Sequence, residues 1–334
     1  MKKLLSLLLC GVMIFSLMSL VGCAKDEPLK LGLGVVSYVE KVTNADADTD
    51  GAASTVVTGA AVLLDKDGKI VDCAIDTAAY TQGFTSKGKY VKANEIKTKY
   101  EQGANYGMVA YGGAKKEWFE QVDAFTALCE GKTLQDVEAL LATNGKGNDD
   151  VVNAGCTIFV TDFVKALEAA FNNAKESGAI AGDKLNLAIV STQTGSKDAT
   201  EEAAGVNEID ATITAAAVNG EGKISAIVTD ALQAKVSFSL KGEAAVTANQ
   251  AFPTKLQAGD AYGMAQYGQD LNGDGTVKEW NAQAAEFDKA CVGKTADEVA
   301  KLAIETGYGV EEIQTAGCTI NIADMVKAAQ KAAK

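Results

Sequence analysis

Apolar residues follow two regimes along this chain. Residues 31–42, 56–64 and 70–75 are dense in Val, Ile, Leu and Thr, and Asp67-Gly68 separates the last two runs. Such runs, bounded by a short turn signal, predict strands and a hairpin. The same regime returns over 185–192, 211–218 and 224–229, with Glu221-Gly222 at the matching turn. After each set the spacing changes. Trp118, Val122, Phe125 and Cys129 recur at helical intervals, as do Trp280, Ala284, Phe287 and Cys291, which predicts amphipathic helices. Thr133 with Asp136, and Thr295 with Glu298, read as capping boxes. Phe163, Ala166, Leu167, Ala170, Phe171 and Ala174 lie on one face of a last helix, with Gly178 as its stop. Strands followed by helices, twice over, predict an α+β fold of two duplicated domains, each an antiparallel sheet with helices following.

The duplication is legible residue by residue. Leu31 and Ser37 match Leu185 and Ser191 at an offset of 154, which becomes 156 at Tyr106-Gly107-Met108 against Tyr262-Gly263-Met264. It becomes 162 at Glu117-Trp118 against Glu279-Trp280 and stays there to the end. The copies span 31–180 and 183–334. Their length excludes a solenoid, whose repeats are much shorter.

Residues 1–22 stand outside this pattern. Lys2 and Lys3 precede an apolar run that ends in Leu20-Val-Gly-Cys23, which resembles a bacterial lipoprotein signal peptide with its lipobox. The resemblance implies cleavage before Cys23, lipidation of its sulfur, a lipid-anchored linker over 23–30 and a place on the extracytoplasmic face of the cell membrane. The mature chain then carries 29 Lys against 44 acidic residues, a formal charge of −15. That balance argues against nucleic acid as a partner. The chain has neither His nor Arg, so Ser-His and Cys-His catalysis and guanidinium clamps are excluded.

One phrase is kept in both copies: NAGCTIFVTDF at 153–163 and TAGCTINIADM at 315–325. It falls where the chain enters the last predicted helix. Gly155 and Gly317 allow close backbone approach. Thr157 and Thr319 either cap that helix or hold a phosphate at its free N–H groups. Trp118 and Trp280, with Tyr106, Tyr111, Tyr262 and Tyr267, either line a pocket for a flat ligand or pack the core.

The hairpins Asp67-Gly-Lys-Ile70 and Glu221-Gly-Lys-Ile224, with the late phrases Gly155-Cys-Thr157 and Gly317-Cys-Thr319, resemble the FMN-binding domain family. That family includes flavin-carrying subunits of membrane redox pumps and surface electron-transfer lipoproteins. Its late phrase is Ser-Gly-Ala-Thr, where this chain has Ala154 and Ala316 for the Ser and Cys156 and Cys318 for the second Ala. The resemblance implies that FMN is held at Thr157 and Thr319, with Gly155 and Gly317 beside it, for electron transfer at the cell surface. The alternative is a surface binding or scaffold lipoprotein without a cofactor.

Two further patterns remain. Cys129 and Cys156 lie 27 residues apart, and so do Cys291 and Cys318. Outside the cytosol a duplicated pair suggests one disulfide per copy, the other reading being buried thiols. Asp270, Asn272 and Asp274 place oxygen ligands at alternate positions, as a calcium loop does, and Asp46, Asp48 and Asp50 do the same. Position twelve of each loop is Asn281 or Val57 rather than Glu, so solvated turns are the other reading.

Overall fold

The computed structural model describes residues 27–93, 96–266 and 277–334. In copy one, β1 (Pro28–Thr43), β2 (Gly51–Leu64) and β3 (Ile70–Phe84) form an antiparallel meander. Then come the helices α1 (Lys99–Gln102), α2 (Trp118–Cys129), α3 (Leu134–Glu138), α4 (Asp149–Ala154) and α5 (Thr161–Asn173). A short strand, β4 (Lys175–Ile180), returns to pair with the start of β1. Copy two repeats the plan with β5 (Lys184–Gln193), β6 (Gly205–Val218) and β7 (Ile224–Phe238). It continues through α6 (Lys255–Ala258), α7 (Trp280–Cys291), α8 (Ala296–Val299), α9 (Glu311–Thr315) and α10 (Ala323–Ala332). The fold is α+β, with sheets ordered β3-β2-β1-β4 and β5-β6-β7.

The strands outrun their sequence signals because both faces of each sheet are covered. On the inner faces Leu31, Leu33 and Val57 of one copy pack with Ile209, Ile213 and Leu232 of the other in a single core. The rings of Phe84 and Phe238 stack across it at 5.1 Å. Polar groups cross the same boundary. Gln82, fully buried, donates to Asn207 O and Ala234 O at 2.7 and 2.8 Å. Helices cover the outer faces, α2 and α5 on the first sheet and α7 and α10 on the second. The result is four layers: helices, sheet, sheet, helices.

Two glycines set the closeness of α5. A Cβ on Gly32 would lie 2.0 Å from Ala170 O, and one on Gly34 would lie 2.1 Å from Ala166 O, so only glycine lets the helix rest on β1. The capping boxes at Thr133 and Thr295 are both formed. Gly178 is not a helix stop. α5 ends at Asn173, and Gly178 lies in β4, where a Cβ would meet Ser225 O of β7 at 2.4 Å.

Candidate functional site

The duplicated phrase closes a short helix instead of opening the long one. Gly155 takes the left-handed conformation (φ 103°) after α4, and its N–H bonds back to Val151 O and Val152 O. Gly317 (φ 95°) does the same after α9. The last helices begin later, at Thr161 and Ala323, behind Val160 and Ile322, which supply no side-chain cap. Thr157 and Thr319 therefore cap neither helix, and their own N–H groups are already used. Thr157 donates both N–H and Oγ1–H to Oε1 of Gln121, at 2.9 and 3.0 Å. Thr319 does the same to Gln283, at 2.8 and 3.2 Å. The buried Gln amides donate in turn to Lys116 O and Lys278 O. Each Gln ties the phrase to the start of α2 or α7.

Glu117 and Glu279 complete that tie. The Glu117 carboxylate accepts from Met108 N and Val109 N at 2.9 and 3.2 Å. Glu279 accepts from Met264 N and Ala265 N at 2.7 and 3.1 Å. The Tyr-Gly-Met segment is thereby folded against α2 or α7. Neither the Gln nor the Glu pair emerged from the sequence as chemistry, although both share the offset of 162 and flank the Trp repeated in the two copies.

These ties bring a Lys, a Trp and a Tyr together in each copy. Lys99 Nζ stands 5.3 Å from the Tyr106 ring and 5.7 Å from the Trp118 ring. Lys255 Nζ stands 5.0 Å from Tyr262 and 5.1 Å from Trp280. The Lys opens a one-turn helix whose place is fixed from below. Asp76 accepts from Tyr100 N at 3.2 Å, and Asp230 accepts from Leu256 N at 3.0 Å. Burial pushes Asp76 up to about 6 and also raises Asp230.

Each cluster walls a cavity on the outer face of its sheet, 760 Å³ in copy one and 490 Å³ in copy two. Opposite the Lys stands a carboxylate that accepts from a hydroxyl. Tyr38 OH donates to Asp162 at 2.8 Å, and Thr192 Oγ1 donates to Asp324 at 2.7 Å. Burial, then that bond, pushes the Tyr38 phenol up. The walls differ. Val56, Phe159 and Phe163 in the first cavity become Asp210, Asn321 and Met325 in the second. Burial lowers the Lys255 ammonium against the opposing pull of Asp210 and Asp230. Ser37 also lines the first cavity, but its Oγ, on the face of β1 opposite to Tyr38, is shielded from solvent and has no partner among the described residues. Asn249 and Ala251 of copy two also line that cavity.

The predicted site residues fall around this arrangement. Thr157 lies outside the cavity lining, exposed, immediately before Ile158, which lines it. Lys116 stands over Gly155, its Nζ 2.3 Å from where a Cβ would be. Lys278 stands over Gly317 in the same way and donates to Ala316 O at 2.8 Å. The surroundings of Thr157 thus fit a phosphate in part, through an exposed hydroxyl with an ammonium nearby. The helix N-terminus expected there is absent. Of the aromatic residues, Trp118, Tyr106 and Trp280 line the cavities, Tyr262 sits beside Lys255, and Tyr111 is exposed away from them.

Cys129, Cys156, Cys291 and Cys318 are fully buried free thiols, so the expected bridges are not formed in this structure. Burial pushes Cys156 up to about 11 and Cys318 up to about 12. In copy one Cys129 faces Cys73, whose thiol is raised by its bond to Cys129 and by burial. The thiols act here as small apolar core groups. Asp270, Asn272, Asp274, Tyr267 and Cys23 lie outside the described residues. Asp46 Oδ1 accepts from Asp48 N and Thr49 N in a local turn. Among the described residues no group of three His, Cys, Asp or Glu side chains is placed to hold a metal.

No family model and no solved structure matches the chain. A curated chlorophenol reductase of Desulfitobacterium hafniense is similar to it, 28% identical over 163 residues. The match takes in 45% of this chain and 49% of the relative, so it spans about half the relative's length.

Proposed function

We propose that this chain is a lipid-anchored extracytoplasmic protein that binds FMN for electron transfer at the cell surface. The carrying observation is that one cavity is built twice around the same Lys, Trp and Tyr, each beside the Gly-Cys-Thr phrase. Core packing requires neither a hollow nor an ammonium set over two rings at that place. Trp118 and Tyr106 would offer flat faces to a planar ligand. Lys99 would meet electron density on it. The exposed Thr157 would exchange its hydroxyl bond to Gln121 for a phosphate, and Lys116 over the neighbouring Gly155 would supply the charge that the missing Arg would otherwise give. Bound FMN would supply the electron-carrying chemistry, and the chain would supply position and field. A relative named as a reductase agrees with a redox role.

The second reading is a surface binding or scaffold module without a cofactor. The Gln121 and Gln283 ties favour it, because they give the phrase a structural purpose of its own. Protein from its native host decides between them. Flavin absorbance, or a mass increased by one or two FMN units and reduced by one unit in Thr157→Val, supports the first. Colourless protein of unmodified mass that leaves FMN fluorescence unquenched supports the second.

A further inference from the structure

A third cavity, of 580 Å³, lies between the copies and belongs to neither aromatic site. Its copy-one wall is apolar, formed by Leu31, Leu33 and Val35 of β1. Its copy-two wall carries Asp288 of α7 and Asp230 of β7. The volume is within the range of small-molecule sites, roughly 300–1,000 Å³.

Asp288 is the unexplained group. Its Oδ2 accepts from Thr229 N at 3.0 Å, and the Thr229 side chain bonds the same carboxyl group. Its Oδ1 is shielded from solvent and has no partner among the described residues. Other polar groups in the lining are already engaged. Asn173 and Gln257 donate to Leu33 O and Val35 O, and Asp230 accepts from Ala231 N and Leu256 N. The fold does not require the carboxyl. Copy one has Thr126 at the equivalent position, and Ile75 where copy two has Thr229. Asp230, Asp288 and Glu176 outnumber Lys175 in the lining, which makes the field there favourable to a cation. A buried acceptor is expected to have a donor, and a buried carboxylate a charged one.

We propose that this cleft binds a small molecule carrying an ammonium group on an apolar body. The ammonium donates to Asp288 Oδ1, and the body lies along Leu31, Leu33 and Val35. A neutral molecule of the same shape gains the apolar contact but leaves Oδ1 with a weaker donor.

Calorimetry on the full chain tests this with 2-phenylethylamine against 2-phenylethanol, two probes of one shape that differ in charge. The amine is expected to bind at least tenfold more tightly. Asp288→Asn should reduce that preference at least tenfold while leaving the circular dichroism unchanged. Ala285→Phe, at an exposed position of the lining, should block both probes without touching the carboxyl. Equal binding of the two probes, an unaltered preference in Asp288→Asn, or no binding of the amine at millimolar concentration would each overturn the proposal.

Discussion

Replacing Gln121 by Met should loosen copy one without leaving a hole. The side chains are close in volume, so packing is largely kept while three hydrogen bonds are lost: two from Thr157 and one to Lys116 O. Each bond contributes about 0.5–1.5 kcal/mol net, and a buried group left unpaired costs about 1–3 kcal/mol. Gln121 is 1% exposed, so water cannot readily replace the amide at the Thr157 N–H. The sum is a loss of about 2–4 kcal/mol. At about 2.1 cal/mol/K of unfolding entropy per residue, a chain of this length shifts by roughly 1.5 °C per kcal/mol, so the melting point should fall by about 3–6 °C. Urea denaturation should show the same loss as a lower midpoint. Thr157→Val removes only the hydroxyl bond and should cost about 1 kcal/mol. The double variant should cost less than the sum of the singles, because both remove one shared bond. A Gln121→Met protein within about 0.5 kcal/mol of the parent, the range of ordinary surface changes, would refute the tie as a structural element.

Asp288 makes stability depend on pH. Burial raises its carboxyl to about 7 from the ordinary 3.8, so ionisation opposes folding. The penalty is absent below the ordinary value, grows between the two and is complete above about 7. Relative to the parent, Asp288→Asn should gain stability from pH 4 to pH 8, by about 1–3 kcal/mol after discounting for solvent relaxation; denaturation midpoints that differ equally at both pH values would disprove the linkage. The buried thiols of Cys129, Cys156, Cys291 and Cys318 should resist maleimide in the folded protein and take it up in urea without reductant. If none of the four is labelled in urea, bridges form in the mature protein after all.

The sequence revealed the strands through their Val and Ile runs and the turns through Asp67-Gly68 and Glu221-Gly222. It did not reveal the far halves of β3 and β7, because Asp76, Thr77 and Gln82 break the apolar signal where polar side chains tie the sheets to their neighbours. The phrase was visible as a repeat, but its local role was not. Gly before Cys-Thr suits both a helix entry and a left-handed helix exit, and only the backbone angle at Gly155 separates them. The cavity residues were half legible. Trp and Tyr stood out as candidate pocket walls. Lys99 and Lys255 gave no signal, since a lone Lys in a chain of 31 basic residues carries no local pattern.

Duplication and folding unit are different things in this molecule. Each copy has its own outer core beneath its helices, but the inner face of each sheet is buried only against the other copy. Separated, either copy would expose Leu, Val and Ile along a whole sheet face, a patch well beyond what soluble monomers tolerate. The copies also exchange specific bonds: Tyr80 OH with Ser191 Oγ at 2.7 Å, Lys89 with Asp198 at 2.8 Å, and Lys331 with Glu101. The first aromatic cavity is finished by Asn249 and Ala251 of copy two, on a segment that pairs with Val39 of β1. The two cavities could therefore diverge without either copy becoming independent. The Lys, Trp and Asp frame is retained in both, while the second wall gains Asp210 and loses two Phe rings. An added carboxylate and fewer aromatic faces would disfavour a flat anion, so under the proposed FMN reading the second cavity is expected to bind more weakly than the first.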